Sequence, residues 1–193
     1  MSDPAIESQR AAPVHSRAAG PDARRPSTLT ERLKDYRPEA YPDFSDPEVR
    51  QRMEVAIDRV RSRLGRTYPN RVGGEDLHLP ETQSSTNPAS PQQVIGVFPR
   101  GHQKMADRAM EAADGAFQRW KDVPADERSA VLFRTADIMR RRRLELAAWM
   151  VFEVGKSWAE ADADVAEAID FCDYYARLML HYAYDPYPLA EYP

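Results

Sequence analysis

The chain has 193 residues, 42% of them hydrophobic and 30% charged, and carries a net charge of −4. That length suits one ordinary domain, or one domain and a tail, and 27 Lys and Arg against 31 Asp and Glu leave no basic surplus for general nucleic-acid binding. The longest wholly apolar run, Leu146 to Phe152, falls far short of the about 20 residues that a bilayer span needs, and a single cysteine, Cys172, excludes an internal disulfide and any CxxC site.

Proline placement divides the chain. Seven of the 16 prolines fall at or before Pro47, whereas only Pro124 lies between Arg100 and Asp185. Proline fixes φ and removes a backbone donor, so the second stretch can be long helix and the first cannot. Residues 1–40 also lack apolar periodicity and are expected to form a disordered or loosely attached arm. Arg10, Arg17, Arg24 and Arg25 give it a faint transit-peptide flavour, which Asp3, Glu7 and Asp22 interrupt. The remainder, 41–193, is expected to form the ordered part.

Ser45-Asp46-Pro47-Glu48 offers an N-cap, a first-turn proline and an acid suited to the helix dipole. Val49, Met53, Ala56, Ile57, Val60 and Leu64 follow at helical spacing, and Gly65 supplies a stop, which predicts a helix over 47–64. Over 66–99, Gly73-Gly74, Asn87-Pro88 and Ser90-Pro91 separate short apolar stretches, which read as hairpins with strands at Arg71-Val72, Leu77 to Leu79 and Val94 to Phe98. Three helices are expected over 102–184. The first spans about 102–120, the second runs from Pro124 to Gly155, and the third starts at the Ser157/Glu160 capping box. The predicted class is mainly α with short β-hairpins, an α+β arrangement.

Several groups of residues invite a chemical reading. Gly155-Lys156-Ser157 has the end of a phosphate loop, but Met150 stands where the loop's first glycine belongs, so a helix stop and a cap explain it better. Arg140 to Arg143 ring a helix instead of striping one side, and Asp137 and Glu145 each stand four residues from Arg141. That favours a solvated turn or an interdomain salt-bridge site over nucleic-acid binding. Glu160, Asp162, Asp164, Glu167, Asp170 and Asp173 make the third helix acidic. No calcium-loop glycine and no Glu-x-x-His pair accompanies them, and acids early in a helix are favoured by its dipole alone, so no metal site is expected. Cys172 lies among apolar helix residues with no histidine within a turn, which suits a small core thiol better than a nucleophile. A lone thiol also fits a reducing, cytoplasmic setting.

A resemblance adds to this reading. Asn87-Pro88-Ala89, Val94-Ile95-Gly96, Ala112-Ala113-x-x-Ala116-Phe117-x-x-Trp120, Pro124-x-x-x-Arg128 and Glu153-Val154-Gly155-Lys156 together resemble the N-terminal region of the aldehyde dehydrogenase superfamily. Val72-Gly73-Gly74-Glu75 and the run from Asp162 to Phe171, leading to Tyr174-Tyr175-Ala176-Arg177, are similar to its glutamate semialdehyde branch, the 1-pyrroline-5-carboxylate dehydrogenases. The resemblance covers about 41–193. It implies the N-terminal segment of an α/β aldehyde dehydrogenase fold without the cofactor-binding βαβ core, truncated relative to the family.

For the complete enzyme the resemblance implies thiolate attack on a small-molecule aldehyde, hydride transfer to NAD and thioester hydrolysis, as a step of proline catabolism. It also implies a C-terminal remainder as partner, a homo-oligomer when complete, and no nucleic-acid or membrane partner. No catalytic, cofactor-binding or metal residue is expected in this chain, and Cys172 does not match the family nucleophile. Glu167 alone carries over: the glutamate of this Ala-Glu-Ala-Ile-Asp-Phe motif is implied to lie beside the substrate's amino end, where a carboxylate pairs with an ammonium. The alternatives are an ordinary surface glutamate and, for the whole chain, a non-catalytic remnant that serves as an assembly surface.

Overall fold

Capping chemistry sets where the first helix begins, and a computed structural model of the protein, which describes residues 36–184, shows it at work. Helix α1 covers Pro47–Arg61, and the Asp46 carboxylate accepts from the Glu48 N–H. The helix ends three residues before the predicted limit. Gly65 is not its stop: at φ 74° it donates its N–H to the Ile95 carbonyl at 3.0 Å and leads into a strand.

The sheet residues form five strands: β1 at Arg66–Thr67, β2 at Asn70–Val72, β3 at Glu75–Leu77, β4 at Thr82–Asn87 and β5 at Ser90–Pro99. β2 and β3 make a hairpin closed by Gly73 and Gly74 at φ 60° and 88°, the positive-φ pair that a tight hairpin turn favours, and β3 ends at Leu77, where the strand expected over Leu77 to Leu79 was to begin. β4 and β5 make a second hairpin, and β1 joins β5 in parallel to give the order β1-β5-β4. β4 is a correction. Thr82 to Asn87 holds no apolar residue, and most of the strand is exposed, so backbone pairing with β5 places it without any burial pattern to announce it. Gly96 leaves room within β5 for two neighbouring rings. A Cβ there would meet the Phe98 ring at 2.8 Å and the Tyr68 ring at 3.2 Å, and those two rings stack 5.5 Å apart.

Four helices follow the strands: α2 at Gln103–Trp120, α3 at Ala125–Arg141, α4 at Arg143–Val154 and α5 at Trp158–Tyr184. The single helix expected between Pro124 and Gly155 is thus two. Arg142 leaves helical geometry at φ −107°, ψ 12°, and the reason lies in packing. An unbroken helix of that length would run about 45 Å straight, whereas the bend keeps α3 along α5 and turns α4 between α1 and α5. Met53 and Val60 of α1, Ala147 and Ala148 of α4, and Ala161 and Ile169 of α5 meet in the core, with Ile95 of β5 beside them. Alanines at these contacts let the helix backbones approach closely, and each larger apolar side chain buried there contributes roughly 1.5–3 kcal/mol.

The predicted caps at the α4–α5 junction are present. Gly155 sits at φ 74°, and its Cα lies so close to the Asn87-Pro88 turn that a Cβ would be 3.0 Å from Pro88 Cγ. The Ser157 N–H donates to Glu160 Oε2 at 3.1 Å, while Ser157 Oγ accepts from the Glu160 N–H at 3.3 Å.

Glu145 fastens α4 to the end of α1. Arg142 donates to it at 2.9 and 3.0 Å and Arg63 at 2.6 Å. The hydrogen bonds from Arg142, opposed by burial and helped by Arg63, pull its carboxyl pKa from 4.5 down to about 2. A depressed carboxylate stabilises the fold above its unfolded pKa, and that contribution fades as pH falls from 4.5 to about 2. Glu145→Gln is therefore expected to cost about 1–3 kcal/mol at pH 7 and almost nothing near pH 2. Urea unfolding of both proteins at the two pH values checks it; an equal cost at both would assign the loss to packing.

Candidate functional site

The acidic helix predicted from the sequence is α5, and its carboxylates are less uniform than its composition suggests. Asp162, 1% exposed, takes a two-pronged grip from Arg143, with Nε–Oδ1 at 2.7 Å and Nη2–Oδ2 at 2.6 Å. Glu39 accepts from Arg140 at 2.7 Å and from Arg143 at 3.4 Å, and its own N–H donates to Asp170 at 3.0 Å. Asp173 holds Arg140 and Arg177, each at 2.8 Å. Burial works against the charge on Arg140, but its hydrogen bonds to Glu39 and Asp173 outweigh that and raise its pKa.

The arginine run is therefore neither a free basic patch nor a purely solvated turn. Arg140 and Arg143 sit inside a half-buried ion network, Asp137 pairs with Arg140 instead of Arg141, and Glu145 with Arg142. Glu39, at the end of the stretch expected to be a loose arm, belongs to this network; residues 1–35 lie outside the described residues.

Glu167 stands apart. Asp164 pairs with Lys156 and Glu160 with the Ser157 cap, but Glu167 is exposed and has no ion pair or hydrogen bond among the described residues. It lines a surface groove of about 500 Å³ together with Tyr36, Tyr41, Phe171, Tyr174 and Tyr175. Tyr36 meets Tyr174 edge-on at 5.6 Å, and Tyr174 meets Tyr175 at 5.5 Å. Burial and the Asp170 carboxylate push the Tyr36 hydroxyl's pKa up, so it stays neutral. A free carboxylate in a groove lined by aromatic side chains suits a cationic group, which gains from charge pairing and from the rings' quadrupoles together. The aromatic walls went unread in the sequence. Phe171, Tyr174 and Tyr175 lie four, seven and eight residues after Glu167, the spacing of one helix face, and that was the available signal.

Cys172 is half-buried against the core, where burial, with the Asp173 charge adding to it, pushes its thiol pKa up. Such a thiol is a poor nucleophile. No group of three His, Cys, Asp or Glu side chains among the described residues is arranged to hold a metal ion. The strand-to-helix turn from β5 to α2, Arg100-Gly101-His102, has one glycine, which is not at positive φ, and no side-chain cap. It does not fit a dinucleotide's pyrophosphate, which needs a glycine-rich cradle there.

The aldehyde dehydrogenase family model matches residues 77–191, from the end of β3 through α5. The chain belongs to the aldehyde dehydrogenase family. It is 44% identical over 148 residues to a 1-pyrroline-5-carboxylate dehydrogenase of Geobacillus thermodenitrificans, an alignment that takes in 77% of this chain and 29% of that protein. A crystal structure of 1-pyrroline-5-carboxylate dehydrogenase from Thermus with bound NAD matches with a TM-score of 0.77 at 45% identity, covering 83% of this chain and 31% of that one. The Mycobacterium tuberculosis Δ-pyrroline-5-carboxylate dehydrogenase bound with NAD and cobalamin matches at 0.68 and 27% identity, over 76% and 29%. The chain thus spans under a third of the length of these relatives, and its fold, mainly helical with small sheets, is a part of the aldehyde dehydrogenase fold. Within it, α5 and its Glu167 lie inside the family match, whereas Tyr36 and Tyr41 lie before it.

Proposed function

We propose that this chain forms the N-terminal part of an NAD-dependent L-glutamate γ-semialdehyde (1-pyrroline-5-carboxylate) dehydrogenase, which oxidises the semialdehyde to glutamate in proline catabolism. The observation that carries the reading is the unpaired Glu167 carboxylate in its aromatic groove, in a chain 44% identical to a dehydrogenase of that name. In this reading Glu167 receives the substrate's ammonium group, and the tyrosine rings beside it add their own attraction for a cation to the charge pairing. The nucleophilic thiol and the NAD site belong to the remainder of the enzyme, as does the chemistry NAD supplies, the acceptance of a hydride. No helix among the described residues is long and apolar enough to cross a membrane; a cytoplasmic, homo-oligomeric enzyme completes the proposal.

Fusion of this chain to the C-terminal portion of a family relative tests it. The chimera is expected to reduce NAD with glutamate semialdehyde, and Glu167→Ala in that chimera should lower kcat/KM for this substrate by about 10- to 100-fold, the worth of a hydrogen bond to a charged group. A simple aliphatic aldehyde, which has no ammonium to lose, should change little. Equal losses on both substrates would return Glu167 to a structural part, and a folded chimera inert toward both would favour the non-catalytic remnant.

A further inference from the structure

A second groove, on the other side of the ion network, is lined by residues that the dehydrogenase reading leaves unused. It lies between α1 and the α3–α4 bend and encloses about 750 Å³, within the range that takes nucleotide-sized ligands. Six arginines line it against two carboxylates, Glu145 and Asp162. Both carboxylates are already occupied: Asp162 is held by Arg143, and Glu145 is shared by Arg142 and Arg63. Arg52, Arg59 and Arg141 have no ion pair among the described residues. Arg52 and Arg59 stand two turns apart on the same side of α1, separated by seven residues, so their charges and that of Arg141 converge on one cavity with nothing to balance them. Like charges gathered without a counter-charge repel, and guanidinium forks match phosphate oxygens in shape as well as charge. The same groove exposes apolar surface: Tyr41 is 71% exposed and Val55 63%, an open face on which a flat ring could lie.

We propose that this groove binds a polyphosphate-bearing anion of nucleotide-diphosphate size, with Arg52, Arg59 and Arg141 on the phosphates and Tyr41 beside the base. The site differs from the Glu167 groove in its charge and shares only Tyr41 with it, and it draws Arg52 and Arg59 from before the family match and Arg141 from inside it. It therefore stands or falls independently of the dehydrogenase assignment.

The test is equilibrium dialysis of the 193-residue chain against pyrophosphate and, separately, against ADP at low ionic strength, with far-UV circular dichroism on the same samples. One site per chain with micromolar affinity is expected for each ligand. Tighter binding of ADP identifies a nucleotide, while equal affinity identifies the phosphates alone as the recognised group. Exchanging Arg52 and Arg59 for glutamate together should weaken both ligands by about tenfold or more, with the helical signal retained, whereas Arg134→Glu on the exposed side of α3 should change neither. Binding weaker than millimolar by the helical chain overturns the proposal, and so does undiminished binding by the double variant.

Discussion

Arg143→Ala is expected to abolish or nearly abolish the chain's cooperative thermal transition. Its guanidinium is the partner of Asp162, which is buried at the centre of the helical layer. Removing one member of a buried pair leaves an uncompensated charge and typically costs about 3–5 kcal/mol, against a total stability of about 5–15 kcal/mol for an ordinary domain. Glu39 would also lose a donor, which loosens its link to Arg140. The double replacement Arg143→Met with Asp162→Leu removes both charges and keeps volume, so it should recover most of the loss. Circular dichroism melts of the parent, the single and the double variant check this. A single variant that melts within a few degrees of the parent would mean that water reaches Asp162 when Arg143 is gone.

The isolated chain is also expected to self-associate and to bind dyes that report exposed apolar surface. No residue of α2 is buried, and its apolar stripe ends in Phe117 and Trp120, which are 54% and 46% exposed. Trp120 joins Val131, Leu132, Tyr175 and Met179 around an apolar hollow of about 390 Å³ where α3 and α5 meet. Monomeric proteins rarely leave apolar surface of this extent in water, and each Å² left wet forgoes roughly 25 cal/mol. Helical signal should persist because the caps are local, while size-exclusion chromatography with light scattering should show a mass that grows with concentration. Co-expression with the C-terminal portion of a family relative is expected to suppress both association and dye binding. A monodisperse monomer that binds no such dye would show instead that the chain is a self-sufficient domain.

What the sequence revealed and what it hid divide along the range of the interactions. Asp46, Gly73-Gly74, Gly155 and the Ser157/Glu160 box act on backbone within a few residues, and all were legible. The bend at Arg142 was not, because neither proline nor glycine marks it and only the need of α4 to face α1 requires it. β4 was hidden for a related reason: a polar edge strand follows its partner's hydrogen bonds, not a burial pattern. Of the ion network, the sequence allowed a salt-bridge site at Arg140 to Arg143 but did not reveal its partners. The helix dipole accounted for the acids of α5 and a solvated turn or salt-bridge site for the arginines, while Glu39 and Arg140, the pair that joins the two, are about a hundred residues apart. Glu167 came from the motif around it; its isolation from every cation became visible only once the partners of Asp162, Asp164, Asp170 and Asp173 were known.

The parallel pairing of β1 with β5 orders events during folding. β4 and β5 meet across a tight turn at Asn87 and Ser90, so their hairpin closes a short loop, whereas Arg66 must come back to Gly96 across both intervening hairpins. Closing the longer loop costs more chain entropy, and β1 offers only two residues of ladder in return. The β4–β5 hairpin and the local helices are therefore expected to assemble first, with β1 docking onto a finished edge. Since α1 leads into β1 through Gly65, a late docking of β1 is expected to delay the seating of α1 against the α3–α4 bend, and with it the completion of the arginine-lined groove.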